Sequence, residues 1–109
     1  KINIPKSVEK INAWAFAECS KLADVVLPPN LKIIEYAAFQ KCKALSKIVI
    51  PPLVKRIDQY GFMECSALKE VLIPNSVTEI ATYSFFGCSS LKQLDIPASV
   101  TKIEFAAFD

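Results

Sequence analysis

Apolar side chains recur along this chain at a fixed interval of 23 residues. Within each interval, one short run alternates apolar with more variable positions, as where Val25 and Leu27 enclose Val26. Period two in a short, β-rich run predicts a half-buried strand. A proline follows each run, which suits a strand end because proline cannot donate a ladder hydrogen bond. The predicted inward strand positions are Ile2/Ile4, Val25/Leu27, Ile48/Ile50, Val71/Ile73 and Leu94/Ile96.

A second apolar pair with a spacing of three follows each proline and predicts a corner with a further short strand. The pairs are Val8/Ile11, Leu31/Ile34, Val54/Ile57, Val77/Ile80 and Val100/Ile103. Next come a small residue and a phenylalanine, with cysteine three residues later and leucine three after that. This spacing predicts one or two tight helical or 3-10 turns. The small residues, which we expect to let neighbouring coils approach closely, are Ala15, Ala38, Gly61, Ser84 and Ala107.

A repeat held for more than four periods without an insertion predicts a solenoid, in which each unit packs mainly on its neighbours. The expected fold class is an α/β repeat solenoid: a right-handed coil with a parallel β ladder and short helical or 3-10 turns, uncapped at both ends. We expect one domain. Its four full repeats are 5–27, 28–50, 51–73 and 74–96, and its partial ends are 1–4 and 97–109. We interpret the chain as a fragment of a longer array whose exposed ends associate weakly end to end.

The written-out repeat resembles the BspA-like class of leucine-rich-repeat proteins. That class repeats roughly L-x-x-[IV]-x-[IL]-P-x-S-[VL]-x-x-I-G-x-x-A-F-x-x-C, and one unit here matches it with Leu68, Val71, Ile73, Pro74, Ser76, Val77, Ile80, Phe85 and Cys88. One column departs, because the glycine after the isoleucine is replaced by Asn12, Glu35, Asp58, Ala81 and Glu104. Glutamate and alanine disfavour a positive φ. We therefore expect a turn there that is not left-handed, or one that is strained.

The resemblance implies a leucine-rich-repeat coil in a long surface or secreted protein of bacteria or parasitic protozoa. It implies adhesion to a host protein or to other cells, and hence a location at the cell surface or outside the cell. It carries no catalytic residues over to this chain.

The outward-facing strand columns are the candidate protein-binding site. Side chains alternate across a strand, so the residues between the core positions point away from the core. One column places Val26, Val49 and Leu72 side by side, with Asn3 and Asp95 at its ends. An apolar stripe with a charged margin is typical of a protein-contact patch. The candidate residues are Asp24, Val26, Lys47, Val49, Glu70, Leu72, Gln93 and Asp95.

Two alternatives stay open at this stage. Valine and leucine favour strand geometry in any case, so the segment is also interpretable as a passive spacer in a surface protein. Aromatic residues in two adjacent turn columns offer a second alternative, carbohydrate binding by stacking on sugar rings, unless they only cover gaps between the turns. They are Trp14, Tyr36, Tyr60, Tyr83 and Phe105.

The four cysteines, which keep the same interval, are Cys19, Cys42, Cys65 and Cys88. A structural ladder of buried thiols is the favoured interpretation, since free cysteine behaves as a small hydrophobe. Side chains stacked in register keep Cβ atoms about 5 Å apart, whereas a disulfide wants about 3.8 Å. Zinc is disfavoured because the chain has no histidine and no C-x₂-C pair.

Composition excludes several classes of function. The 13 basic and 11 acidic residues are scattered, whereas a nucleic-acid site needs clustered lysine and arginine. No apolar run approaches the roughly 18 residues of a membrane span. With no histidine, a Ser/His or Cys/His nucleophile pair cannot form, and two glycines do not make a phosphate-binding loop. We predict a non-catalytic module without a cofactor or metal.

Overall fold

Each coil of the chain carries short parallel strands, in a computed structural model that describes residues 2–108. The strands, in chain order, are β1 (Ile2–Asn3), β2 (Lys10–Ile11), β3 (Val25–Val26), β4 (Ile33–Ile34), β5 (Lys47–Val49), β6 (Arg56–Ile57), β7 (Glu70–Leu72), β8 (Glu79–Ile80) and β9 (Lys102–Ile103). Every pairing is parallel and joins residues 23 apart, as in Ile48 with Val71. The predicted parallel ladder and the second short strand are therefore confirmed.

The odd-numbered strands β1 to β7 form the first ladder, and this ladder is interrupted. Strand β1 pairs with β3 and β5 pairs with β7, but within residues 2–108 no strand pairing joins β3 to β5. The expected strand at Leu94/Ile96 is wrong, since no strand forms there. Ile96 is 42% exposed whereas the equivalent Ile50 is 2% exposed, so this segment is not drawn onto the core. Without that burial, little holds its backbone at bonding distance from β7.

The predicted helical turns are also wrong, because the described residues contain no helix. The turns are overlapping β-turns in which an N–H donates to the carbonyl three residues earlier, as from Cys42 to Phe39 at 3.3 Å. This bond explains the spacing of three that suggested a helix. The third residue of every second turn has a positive φ, which is the signature of a type II turn. These residues are Trp14, Glu18, Ala37, Lys41, Tyr60, Glu64, Tyr83, Gly87 and Ala106.

In the column where other residues replace the glycine of the family repeat, none of the five residues has a positive φ. This column begins at Asn12 and ends at Glu104. The expectation that this turn is not left-handed is therefore confirmed. The left-handed residues lie two and six positions later in each coil.

Backbone donors in the turns alternate between two kinds of partner. The N–H groups of Ala37, Phe39 and Lys41 donate to the carbonyls of Gln59, Gly61 and Met63 in the next coil, at 2.7–3.0 Å. The residues between them bond within their own coil. Because these bonds join the turns of neighbouring coils, the turns form a third inter-coil ladder. The buried backbone N–H groups of the turns therefore have hydrogen-bond acceptors.

The core is a set of columns, each filled by the equivalent side chains of successive coils. The inner phenylalanine stack has ring centroids 5.2–5.4 Å apart and interplanar angles of 0–11°. Its members are Phe16, Phe39, Phe62, Phe85 and Phe108. The small-residue column packs beside it, and Ala38 and Ser84 are completely buried. This core fixes which side chains face outward.

Candidate functional site

The first ladder presents an apolar stripe, defined as Val26, Val49 and Leu72, on the outside of the solenoid. These side chains are 61%, 50% and 45% exposed. The residue that precedes each of them along the chain is buried, since it points into the core. The alternation predicted from the sequence therefore places the stripe on the open face of the strands.

The eight candidate binding residues line two shallow grooves on this face. A groove of about 300 Å³ lies between Asp24, Val26, Lys47 and Val49. A second, of about 540 Å³, is lined by residues that include Glu70, Leu72, Gln93 and Asp95. The grooves lie where the first ladder is interrupted, after β3 and after β7. The structure thus brings the eight residues together as two groups of four.

A third groove extends the apolar stripe toward the prolines. It has a volume of about 370 Å³, and Val26 and Val49 form one side of it. Pro29, Pro51 and Pro52 line the other side. Proline side chains are rigid and their nitrogens carry no donor, so this part of the face is preorganised for apolar contact.

One ion pair spans the middle of the strand face. Lys47 Nζ lies 3.7 Å from Glu70 Oε1, and both side chains are 54% exposed. An exposed pair of this kind contributes about 0–1 kcal/mol to stability. Two exposed acidic residues border the stripe: Asp24 lies beside Val26 in the column of Lys47 and Glu70, and Asp95 follows Leu72 in the column of the stripe itself. The site is therefore an apolar centre with a charged margin.

Sequence reasoning missed an ion-pair network on the second ladder. The Arg56 guanidinium lies 2.8 Å from Asp58, 3.2 Å from Glu79 and 3.7 Å from Glu104. Lys102 approaches Glu79 and Glu104 at 3.9 and 3.5 Å. Asp58 lies in the same coil as Arg56, whereas Glu79 and Glu104 lie one and two repeats away, and reading outward columns across repeats would have shown these two. Arg56 therefore forms ion pairs that link its own coil to neighbouring coils.

The turn face carries an outer aromatic ladder, defined as Trp14, Tyr36, Tyr60, Tyr83 and Phe105. Successive ring centroids are 5.2–5.9 Å apart, and the interplanar angles range from 40° to 87°. The sequence divides these residues between two columns, but the structure joins them into one continuous row.

The four cysteines are free thiols stacked in one column. The Sγ atoms of Cys42, Cys65 and Cys88 each donate to a phenylalanine carbonyl of the preceding coil at 3.1 Å. Cysteine suits this column because it is a small apolar side chain with a weak donor. Burial raises the pKa of the Cys88 thiol to about 11. The neighbouring Cys42 thiol, together with burial, raises the pKa of Cys65.

Stability is expected to fall as pH rises from about 9 to about 11. In the unfolded chain Cys88 titrates near its ordinary pKa of 9.0, and in the folded chain its pKa is about 11. Between these values the folded chain binds more protons, so rising pH lowers the free energy of unfolding; below pH 9 the contribution is fully present. Urea unfolding from pH 8 to 11 should show a shallower decline for Cys88→Ala than for the unsubstituted chain. Equal declines would remove Cys88 as the cause.

Within residues 2–108, no group of three or more Cys, Asp or Glu side chains has an arrangement that could hold a metal ion. The same residues include no helix with the length and apolar composition of a membrane span.

Parallel ladders at a 23-residue interval around aliphatic and phenylalanine columns define a leucine-rich-repeat solenoid. A family model described as a BspA type leucine rich repeat region, with 6 copies, matches residues 1–109. The chain belongs to this BspA-type family, which confirms the resemblance seen in its repeat. Comparison with curated proteins gave no significant match.

Solved structures of bacterial leucine-rich-repeat proteins share the fold. A leucine rich cell surface protein of Faecalibacterium prausnitzii is 38% identical over 93% of this chain, with a TM-score of 0.87. The leucine rich repeat protein of T. pallidum is 32% identical over 72% of the chain, with a TM-score of 0.67. A Bacteroides ovatus leucine-rich repeat protein is 25% identical over 95% of the chain, with a TM-score of 0.54. The chain spans 26%, 39% and 39% of these three proteins.

Proposed function

We propose that this solenoid is a non-catalytic protein-binding module of a cell-surface or secreted protein, and that the apolar stripe is its contact site. The observation that carries the proposal is the exposure of three large aliphatic side chains in one row, with one groove between Val26 and Val49 and another beyond Leu72. Apolar side chains at the centre of a patch with a polar margin are what a protein interface requires. The cell-surface relative from F. prausnitzii supports the location.

The charged residues around the apolar stripe indicate which kind of partner surface would be complementary to it. Asp24 lies beside Val26 at one corner of the stripe and Asp95 lies beyond Leu72 at the other end, while the central Lys47 is already paired with Glu70. A partner with an apolar centre and basic side chains opposite Asp24 and Asp95 would match these features, since complementary charges favour association and exclude wrong partners. We infer that the partner is a host or cell-surface protein with such a patch.

The test is solid-phase binding of the chain to a panel of immobilised extracellular-matrix proteins. Replacing Val26, Val49 and Leu72 together with threonine removes the apolar surface but keeps residues that suit strands. We expect at least a roughly tenfold loss of binding, because central interface residues dominate affinity. The matched control is Ile33→Thr, which changes an equally exposed aliphatic residue on the second ladder, 48% exposed.

Three results would count against this site. Full binding by the folded triple variant would exclude the stripe, and an equal loss in Ile33→Thr would show a general effect of surface polarity. Absence of binding to every protein tested would favour the alternative role, a passive spacer.

A further inference from the structure

Every coil contributes one ring to the outer aromatic ladder. The ring comes from one of two adjacent positions in the turn, which follow each other along the chain and are called the first and the second position here. Trp14, Tyr60 and Tyr83 occupy the second position, and alanine stands there in the two coils that contribute Tyr36 and Phe105 from the first. The centroid spacing nevertheless stays within 5.2–5.9 Å. The row is therefore continuous across all five coils, although neither sequence column is.

Three of these rings stand on strained backbone. Trp14, Tyr60 and Tyr83 have φ values of 65°, 61° and 57°. Glycine is the residue best suited to this region, and a bulky side chain there is a true outlier. The turn imposes this conformation in every coil, since Ala37 and Ala106 have φ values of 55° and 54° at the same position. Aromatic side chains are held at these positions despite the strain.

The rings of the outer ladder are also oriented differently from those of the inner stack. Inner rings lie within 11° of parallel and cover each other's faces. Outer rings are tilted by 40–87° relative to their neighbours, and the end rings of Trp14 and Phe105 are 53% and 74% exposed. The tilt leaves aromatic surface available to a ligand along the solenoid axis.

Polar side chains accompany the rings. Where the second position is aromatic in the middle coils, the first holds Gln59 or Thr82, both partly exposed. One column of the same turn segments holds the carboxylates of Glu18 and Glu64, with the ammonium of Lys41 between them. Amide, hydroxyl, carboxylate and ammonium groups all bind hydroxyls, and with two carboxylates to one ammonium the column disfavours phosphate and sulfate groups.

We propose that the outer aromatic ladder is a binding site for a neutral polysaccharide chain. The apolar C–H faces of successive pyranose rings would lie on the aromatic rings, and their hydroxyls would bond to side chains such as Gln59 and Thr82. An extended chain fits better than a single sugar, because five rings follow one another at nearly equal spacing. This site is separate from the apolar stripe and does not depend on protein binding there.

Affinity electrophoresis through gels that contain hydroxyethylcellulose, xylan or laminarin tests the proposal, together with titration of the fluorescence of Trp14, the sole tryptophan. We expect retardation by at least one of these neutral polysaccharides and a change in Trp14 emission. Tyr60→Ala should weaken binding about tenfold, the scale of one lost aromatic contact. Alanine already occupies this left-handed column at Ala37 and Ala106, so the variant is expected to fold.

Two controls separate recognition from a structural role. Tyr60→Phe keeps the ring and should keep the binding, and Ile33→Thr on the second ladder, outside both proposed sites, should bind as the unsubstituted chain does. The proposal would be overturned by the absence of retardation in all three gels, or by undiminished binding of a folded Tyr60→Ala variant. Binding of a proline-rich peptide or a sulfated glycan with no binding of neutral polysaccharides would also overturn it.

Discussion

Replacing Phe62 with alanine is expected to lower the free energy of unfolding by about 3–5 kcal/mol, the usual cost of truncating a buried phenylalanine. The Phe62 ring is completely buried. Its centroid lies 5.3 Å from that of Phe39 and 5.4 Å from that of Phe85, with the rings nearly parallel. The substitution therefore leaves a cavity and removes two stacking contacts, one with each neighbouring coil.

The damage should spread beyond the substituted coil, because a solenoid unit is stabilised mainly by its neighbours. Urea unfolding followed by circular dichroism and by Trp14 fluorescence should shift to lower urea by the same amount, although Trp14 lies two coils away. Leu53→Ala is the control, since Leu53 is 44% exposed and its truncation should cost no more than about 0.5 kcal/mol. A shift in Phe62→Ala as small as that of the control would contradict the stacked core.

Replacing Ala38 with leucine is expected to destabilise the chain by about 1–3 kcal/mol or more through overpacking. Ala38 is fully buried, and its carbonyl accepts a hydrogen bond from the Phe16 N–H of the preceding coil at 2.8 Å. The three inter-coil ladders fix the distance between coils, so a larger side chain displaces its neighbours. Urea unfolding of the variant measures this cost.

Gly61→Ala is the matched control for this prediction. Alanine stands at the equivalent position in three other coils, as Ala15, Ala38 and Ala107. A Cβ at Gly61 would lie 3.1 Å from the Asp58 carbonyl oxygen, so a small adjustment is needed. We expect a change of less than about 1 kcal/mol. Equal effects of the leucine and alanine variants would show that size in this column is not what limits the approach of the coils.

Much of the fold was predictable because one spacing governs it. A 23-residue interval fixes strand register, and every observed pairing joins residues 23 apart, as Lys47 with Glu70. The same spacing identified the buried columns, since a residue such as Phe39 must face the same way as its equivalents in neighbouring coils. Patterns within a single coil were therefore enough to predict strands and buried columns wherever those patterns agreed with the 23-residue repeat.

The turns were not predictable from spacing alone. A separation of three between Phe39 and Cys42 fits a helical turn and a β-turn equally well, because both form a bond across three residues. Nor does the sequence mark the left-handed positions, since Trp14 and Tyr60 are unfavourable there. The loss of the strand at Leu94 depends on burial that only the three-dimensional structure shows.

One of the two candidate sites was predictable from the sequence, and the other was predictable only in part. Alternation along a strand was enough to place Val26, Val49 and Leu72 on the outside, and the structure exposes all three. Whether a protein binds there stays a prediction. The outer aromatic ladder was only partly visible, because Tyr36 and Tyr60 belong to different columns and their 5.2 Å separation emerges from the fold.

Amide hydrogen exchange of the chain, alone and bound to whichever matrix protein the solid-phase assay identifies, tests most directly that the strand face is the protein-contact site. Added protection is expected around the apolar stripe, in residues 24–26, 47–49 and 70–72, with the turn segments 14–18 and 37–41 unchanged. Added protection confined to the turn segments, or to the second ladder around Ile33, would contradict the account.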